Sequence, residues 1–388
     1  MDQIVNTDPV AVARGLAETI AAAADEIEAA RRLPDAIVAA LHESRLLRMM
    51  LPRSCGGDEV DPMTYVRAIE EIARHDASVA WNLFVANASA LIAPYLEPAT
   101  ALTVFGDADA LVAWGPPNDT KAQAVPGGYR ISGHWWFASG CRHATWMGAH
   151  CDVLEADGTL RVDSEGRSIM LTLLFPAATV TLDDDWDTLG LRGTGSESFS
   201  VDDLFVPEAF TGRRGDPALC REPGPLYAIT MQSLYAASVA AAALGIARAM
   251  LEALIALARR KKPLGLRRMA DSATMQAGIA RAEAQLGAAR AYLLETLDDV
   301  YRRAEPSTPI EVADRARIRL AASHAIHAAM AVADQTHKAC GVDGIFPGSP
   351  FERRFRDMHT LSQQIQARDS HYESIGQVLL GEPPPVFL

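Results

Sequence analysis

The sequence predicts an α+β protein in three consecutive parts: a helical N-terminal part over 1–109, a middle β barrel or sandwich over 110–215, and a C-terminal four-helix bundle over 216–388. Three observations carry this. Asp-Pro pairs at Asp8-Pro9 and Asp61-Pro62 are helix starts, a side-chain cap followed by proline in the first turn. From about Ala110 the apolar residues fall into short runs bounded by Gly, Pro, Asp or Ser, with Gly127-Gly128 as a hairpin signal between two of them. Beyond about Pro225 the chain is rich in Ala, with the apolar repeat of long bundle helices.

Taken in order, Val10–Arg32 places small apolar and charged residues at helical spacing, and Pro34 opens a second helix that ends before Pro52. A third runs from Pro62 towards His75. Asp76-Ala77-Ser78 reads as a short break, and Val79–Leu91 as an apolar helix that belongs inside a bundle or against a pocket. The strands expected next are Val112–Trp114, Gln123–Val125, Tyr129–Phe137, Trp146–Leu154, Ile169–Leu174, Thr179–Leu182, Glu197–Val201 and Leu204–Val206. The bundle helices are Leu226–Arg260, Asp271–Arg303, a third opened by a capping box at Thr308-Pro309-Ile310-Glu311 and ended at Gly341, and a fourth over Phe351–Leu380. Their Ala-rich faces suit close packing, between subunits among other places.

Composition narrows the function. With 36 basic and 49 acidic side chains the formal net charge is −13, which repels polyanions and argues against nucleic acid as a partner. Five cysteines, Cys55, Cys141, Cys151, Cys220 and Cys340, form no CxxC pair, and the ten histidines include no HxH or HExxH spacing. Neither a disulfide framework nor a metal site is expected. The first residues lack a basic stretch followed by an apolar core, and charges interrupt the Ala-rich segments, so the expectation is a cytoplasmic protein with no signal peptide and no membrane span.

The stretch with most chemical content is Gly-His-Trp-Trp-Phe-Ala-Ser-Gly-Cys at Gly133–Cys141. Two bulky aromatics lead into a small-residue turn that offers backbone N–H groups and the Ser139 hydroxyl. A planar, partly polar cofactor needs that mixture of flat wall and edge donors. Downstream lie Trp186-Asp187-Thr188-Leu189-Gly190-Leu191-Arg192-Gly193-Thr194-Gly195-Ser196, Val206-Pro207, and a Gln335–Gly344 segment with Gly341 and Gly344 just past the third bundle helix.

In this order and spacing, these stretches resemble the acyl-CoA dehydrogenase superfamily over nearly the whole chain. Within it, the Trp-x-Phe-Ala-Ser-Gly-Cys form, the Leu-Arg-Gly-Thr-Gly-Ser form and Arg356-Asp357 are similar to the two-component flavin monooxygenases that hydroxylate phenols, indoles and sulfur heterocycles. The resemblance implies FAD as FADH2, with FMN as the alternative, and O2. It implies a C4a-hydroperoxide that oxidises a small indolic or phenolic substrate, and a homotetramer. The flavin contacts it implies are Trp114, Phe137, Ala138, Ser139, Gly140, Cys141, Arg192, Thr194, Arg260, Gln335, Gly341 and Gly344. Ser139 occupies the position from which such relatives guard the flavin N5 region.

Substrate activation on such a scaffold needs a base near neutrality, for which histidine is suited. His359, three residues after Arg356, is the candidate. Many relatives carry a histidine at the seventh position after the counterpart of Asp357, where this chain has Gln364. Glutamine bonds but takes no proton, which leaves His359 or His371 to act, or a substrate already nucleophilic enough to need no strong base. Trp81, Asn82, Asn87 and Trp136 are the candidate walls of an aromatic pocket.

Two alternatives stand beside this reading. A dehydrogenase needs a carboxylate base, and residues 358–368 contain none, although some relatives place it elsewhere. The second is a non-catalytic scaffold of the same fold. No strand is followed by a GxGxxG turn, so an internal NAD(P)H site is not expected and a separate NAD(P)H-dependent flavin reductase is.

Overall fold

Capping chemistry starts the chain. The Asp8 carboxylate accepts the Val10 N–H ahead of α1 (Pro9–Gly15). The computed structural model describes residues 8–214, 216–305 and 308–383; residues 1–7, on which the absence of a signal peptide was partly read, lie outside the described residues. The single helix expected over Val10–Arg32 is two, α1 and α2 (Ala17–Ala30). Gly15 is a weak helix former, and at Leu16 the backbone opens to φ −85°, ψ −5°. α3 (Asp35–Glu43) follows Pro34, and α4 (Pro62–Ala73) is capped by Asp61 through the Thr64 N–H at 2.9 Å.

The expected break at Asp76 is a cap instead. Its carboxylate accepts the Ser78 and Val79 N–H groups at 2.8 and 3.0 Å and starts α5 (Ala77–Ala90), every residue of which is buried. α6 (Pro98–Phe105), opened by a proline, was not anticipated. Ala77–Tyr95 and Met231–Arg260 are long and apolar enough to cross a membrane, but they are buried inside the fold over 100% and 67% of their most apolar windows. Interior helices pass the same test.

Among the described residues eight strands follow: β1 (Val112–Trp114), β2 (Lys121–Val125), β3 (Gly128–Ala138), β4 (Trp146–Leu154), β5 (Met170–Pro176), β6 (Thr181–Leu182), β7 (Glu197–Pro207) and β8 (Thr211–Gly212). They form one sheet in the order β6-β7-β3-β2-β4-β5-β8, with β1 added on β4. The pairs β1–β4 and β2–β4 are parallel and the rest antiparallel. The expected barrel or sandwich is therefore a mixed sheet with β6 and β8 at its ends. Gly127, at φ +83°, makes the predicted β2–β3 turn. The two strands expected over Glu197–Val201 and Leu204–Val206 are the single strand β7, accommodated by a bulge against Ile131 and Gly133.

Alternation gives the sheet two buried faces. One gathers Ala113, Ile131, Trp135, Met147, Ala149, Cys151, Leu173 and Phe199 into a core, where Trp135 stacks on Phe199 at 5.2 Å between centroids. The other turns Trp114 and Leu174 towards Leu51, Ile92, Leu96 and Val104 of the helical part.

The C-terminal helices are α7 (Met231–Arg260), α8 (Ala273–Arg303), α9 (Val312–Cys340), α10 (Glu352–Leu361) and α11 (Ser370–Leu379). The fourth predicted helix is thus broken. Gln364 takes an extended backbone (ψ 147°) and its side chain accepts the Gln366 N–H at 2.7 Å, fixing a short turn over Ile365–Ala367. The capping box expected at Thr308 does not form. The Ile310 N–H bonds Ala228 O at 3.1 Å, the segment stays extended, and α9 starts at Val312 without a side-chain cap. Gly341 ends α9 at φ +65°, as expected. The Ala face of α7 is used within the chain, where a Cβ on Gly245 would sit 2.4 Å from Glu70 O of α4. Cys55, Cys141, Cys151, Cys220 and Cys340 are free thiols.

Trp135 is fully buried and fixes the sheet core at the end of β3. Trp135→Ala is expected to lower stability by about 3–5 kcal/mol, measured as a shift in urea-unfolding midpoint; a change within 1 kcal/mol would show that the core does not depend on it.

Candidate flavin seat

The seat is built by a break in strand alternation. Along β3, Trp135 points into the core and Trp136 points out, 49% exposed. Ordinary pleating would return Phe137 to the core. Its backbone is instead left-handed, at φ +62°, and a bulge opens against β7 between Trp135 and Ala138. Phe137 therefore also faces out, 62% exposed, and Ala138 takes the inward place opposite Glu197. A bulky residue in this region is strained and persists only where its surroundings hold it. Here the holding groups are the Ser139 N–H on Phe137 O at 3.0 Å, the Gly140 N–H on Thr194 O at 3.0 Å, and the Trp186 ring edge-on to Phe137 at 6.1 Å. His134 meets Trp136 edge-on at 5.0 Å. Gly140, at φ +76°, brings the turn so close to α5 that a Cβ would lie 2.9 Å from Asn82 Oδ1.

Beneath the turn, hydroxyl groups form a chain whose direction is determined. Thr194 donates its only hydroxyl hydrogen to Leu191 O at 2.8 Å. The 2.7 Å contact between Ser196 and Thr194 therefore has Ser196 as donor, and the 2.6 Å contact between Ser139 and Ser196 has Ser139 as donor. Trp81 Nε1–H donates to Ser139 Oγ at 3.1 Å. The Ser139 hydrogen is thus committed inward, and one oxygen lone pair is its remaining capacity. Ser196 belongs to the glycine-rich stretch read in the sequence but carries no role of its own there.

The loop bearing Leu191 is clamped by α10. Asp357 Oδ1 accepts the Leu191 N–H at 2.7 Å. Burial, with Asp76 nearby, pushes the Asp357 carboxyl up to about 7, against the opposing hydrogen bond from Leu191. Arg356 donates to Leu189 O at 2.8 Å and pairs with Glu28 at 2.7 Å and with Glu352. Arg192 is turned to Asp187 and Thr188 O, at 2.7 and 2.8 Å.

The remaining expected site residues spread over three places. Trp81 and Asn82 of α5 lie directly under the seat; Asn82 Nδ2 donates to Ser78 O and Gly193 O at 3.2 and 3.3 Å, and its buried Oδ1 has no hydrogen-bond partner. Asn87 is used in packing. It donates to Leu46 O and Leu83 O and accepts the Met50 N–H, all at 2.9 Å, so the pocket-wall role expected of it is corrected to a tie between α5 and the 46–50 segment. Cys141 is buried with its thiol on Gly195 O, its pKa pushed up to about 12 by desolvation, so it is packed and unreactive.

Trp114 closes β1 on the helical side of the sheet. His359 lies on α10, bonded to Asp334 at 3.0 Å and leaning on Phe355, which in turn stacks on His337 at 4.0 Å. Gln364 makes the turn after α10. Gln335 donates to Gly278 O at 2.9 Å, Gly344 packs on Cys340 and His337, and Arg260 is exposed at the end of α7, beside Lys261, which ties that end to Cys340 O at 3.2 Å. Among the described residues no group of three or more His, Cys, Asp or Glu is placed to hold a metal ion.

These residues fit a flavin. The outward Trp136 and Phe137 supply an apolar platform, and the turn below supplies backbone and hydroxyl groups for a polar ring edge. A helical part, a mixed sheet and a helical bundle around such a turn define the acyl-CoA dehydrogenase type of fold. Comparison with known proteins agrees: the acyl-CoA dehydrogenase N-terminal domain matches residues 10–101 and the C-terminal domain residues 237–368, together more than half of the chain. The chain belongs to the acyl-CoA dehydrogenase family.

Similar proteins include an indole-3-acetate monooxygenase of Pseudomonas putida, 28% identical over 92% of this chain and 90% of its own length. The oxygenase component of an FADH2-dependent resorcinol hydroxylase from a Rhizobium species is 29% identical over 95% and 93%. Among solved structures, XiaF from a Streptomyces species, in complex with FADH2 and glycerol, superposes with a TM-score of 0.88 at 26% identity, covering 97% of this chain and 96% of that one.

The raised Asp357 carboxyl gives a prediction with a definite sign. A carboxyl whose folded-state pKa lies near 7, above its unfolded value of about 4, binds more protons folded than unfolded between those values, so its contribution to stability falls as pH rises through that window. Asp357→Asn removes this loss, and the stability of the variant relative to wild type is expected to increase from pH 4 to pH 7 and then level off. A pH-independent difference in chemical denaturation would show that Asp357 does not titrate in this window.

Proposed function

We propose that this chain is the oxygenase component of a two-component flavin-dependent monooxygenase that uses reduced flavin and O2 to hydroxylate an indolic or phenolic ring. The observation that carries the reading is the strained Phe137 turn, which holds two aromatic rings outward over a buried hydroxyl chain. The relatives at 28 and 29% identity, an indole-3-acetate monooxygenase and a resorcinol hydroxylase component, support it. So does the fate of the carboxylate region a dehydrogenase would use: residues 358–368 contain no Asp or Glu, and Asp357 itself is spent on the Leu191 N–H.

In this reading bound reduced flavin supplies the activation of O2 and the transfer of one oxygen atom. Trp136, Phe137, Ala138 and Trp114 hold the ring, and Ser139 meets its polar edge. Arg192, Thr194 and Cys141 shape the loops around it. Arg260, Gln335, Gly341 and Gly344 serve the phosphate end of FAD from a neighbouring subunit of a homotetramer. Trp81 and Asn82 border the aromatic guest. His359, oriented by Asp334, takes the proton that leaves the substrate hydroxyl or ring N–H; Gln364 orients the same end by hydrogen bonding. The 1–109 part forms one wall of the pocket, 110–215 the ring seat, and 216–388 the subunit contacts. A separate NAD(P)H-dependent reductase delivers the flavin, FAD before FMN, in the cytoplasm.

The direct test supplies FADH2 from a flavin reductase under 18O2 with indole or resorcinol. One labelled oxygen atom in the product is expected, and flavin oxidation with no oxygenated product from either ring would overturn the proposal. Ser139→Ala leaves Trp81 Nε1–H without an acceptor and is expected to raise several-fold the share of reduced flavin lost as H2O2; unchanged coupling would remove Ser139 from oxygen handling. His359→Ala is expected to slow hydroxylation about 100-fold or more while flavin oxidation continues at the wild-type rate, and full hydroxylation would exclude it as the proton acceptor.

A further inference from the structure

Among the described residues, Arg214 is a cation without a carboxylate partner at a place where a ligand could supply one. Arg214, just after β8, extends over the Trp114 ring, its guanidinium carbon 4.6 Å from the ring centroid. Its Nε donates to Thr172 Oγ1 at 3.2 Å, one Nη lies 3.2 Å from His150 Nδ1, and the other packs against the Met231 sulfur. Among the described residues no carboxylate lies within 4 Å of it, although the chain carries 49 acidic side chains. Tyr95 nearby favours the charged form, but it outweighs neither burial nor the missing carboxylate. His150 is fully enclosed and burial holds its pKa well below the ordinary histidine value, so it is a neutral acceptor. Desolvation lowers Arg214 itself to about 10, which still leaves it charged at neutral pH.

An unneutralised guanidinium taken out of water is costly, and two other deep arginines in this chain are compensated. Arg48 is surrounded by the carbonyls of Cys55, Gly56, Phe105 and Asp107. Arg354 has Asp76 and Asp357 nearby. Arg319 is also unpaired, but it is sealed in the bundle at 3% exposure. Arg214 differs from it in keeping part of its residue surface exposed.

Its position connects it to the seat. Trp114 is followed by Gly115, which packs so tightly on the turn that a Cβ there would lie 2.4 Å from Trp136 O. The end of β1 thus runs beside the flavin seat, and the ring of Trp114, its last residue, carries Arg214 over it. An aromatic guest at the seat has Trp114 on its flank and a cation beyond.

We propose that Arg214 is a carboxylate subsite, and that the substrates this chain prefers are aromatic acids bearing a short carboxylate side chain. The inference rests on the monooxygenase reading for the reaction but not for the binding. Among the described residues the guanidinium retains N–H groups beyond those used on Thr172, Met231 and His150, and a carboxylate would take them in a charge-assisted, forked arrangement. Thr172 and neutral His150 hold the guanidinium from behind. Flavin phosphate is the other anion that could sit there, and the experiment separates the two.

The experiment uses the flavin-loaded enzyme with its reductase and compares indole-3-acetate with 3-methylindole, which share ring and attachment and differ in the carboxylate. Wild type is expected to favour the acid at least tenfold in kcat/KM. Arg214→Met is expected to cut the acid's kcat/KM roughly 10–100-fold, mostly through KM, and to change 3-methylindole and FADH2 affinity less than threefold. Arg214→Lys is expected to recover part of the loss. Equal losses on both substrates, loss of flavin affinity instead, or a wild type indifferent to the carboxylate would each overturn the subsite, the last without needing any variant to fold. If wild type oxidises neither indole, the monooxygenase reading is decided by the 18O2 test with resorcinol, and the subsite is judged on binding alone. Calorimetric binding of indole-3-acetate that is lost in Arg214→Met and regained in Arg214→Lys supports it, and no binding to wild type overturns it.

Discussion

The left-handed backbone at Phe137 is the constraint on which the site depends. A strand that kept its pleat would bury one of the two rings and expose the other, and the edge of the sheet would offer no platform. Forcing Phe137 to φ +62° costs conformational energy that its own ring does not repay. The repayment comes from elsewhere: from Ser139 and Gly140, whose N–H groups bond on either side of the kink, and from the 186–195 loop, whose Thr194 carbonyl and Trp186 ring hold it. That loop is in turn held by Asp357 on α10. The seat is therefore a joint product of the sheet and the C-terminal helices, with α5 contributing Trp81 and Asn82 from the third side.

This chain of dependence explains the costly residues around it. Burial raises the proton affinity of both Asp357 and Asp76, and at Asp357 the nearby Asp76 adds to it. Each is used as a backbone acceptor, Asp76 at the start of α5 and Asp357 at Leu191. The two elements that flank the turn are thus positioned by polar contacts in a place where apolar packing alone would leave them free to slide.

Much of the architecture was legible because it rests on local chemistry. Asp-Pro starts, the Gly127 turn and the glycine at the end of α9 act through neighbours in sequence, and they stand where the sequence puts them. One error falls where a distant group decides: Ala228 O draws Ile310 away from the capping box. Two others are local bonds that the pattern did not reveal, Gln364 folding back on its own backbone to split the last helix and Asp76 capping α5 where a pause was expected. At the site, Ser139 and the aromatic pair could be read from one segment, but the inward commitment of the Ser139 hydrogen depends on Ser196 and Thr194 across the turn. Asn87 looked like a pocket residue because polar groups in an apolar helix attract attention, and its three hydrogen bonds to surrounding backbone account for it fully. Arg214 carries no local signal at all; its isolation from acidic groups exists only in three dimensions.

The hydroxyl chain under the turn has a polarity that reaches beyond its own stability. Because Thr194 can give its hydrogen only to Leu191 O, each hydroxyl upstream has its donor role assigned, and Ser139 faces the seat with acceptance as its remaining option. An isoalloxazine ring presents opposite signs in its two oxidation states: reduced, it carries a hydrogen on N5, and oxidised, a lone pair. On the proposed reading in which Ser139 meets the flavin N5 edge, a hydroxyl that can only accept would tell these apart by a single hydrogen, a preference set by the carbonyl of Leu191, three hydroxyl groups away.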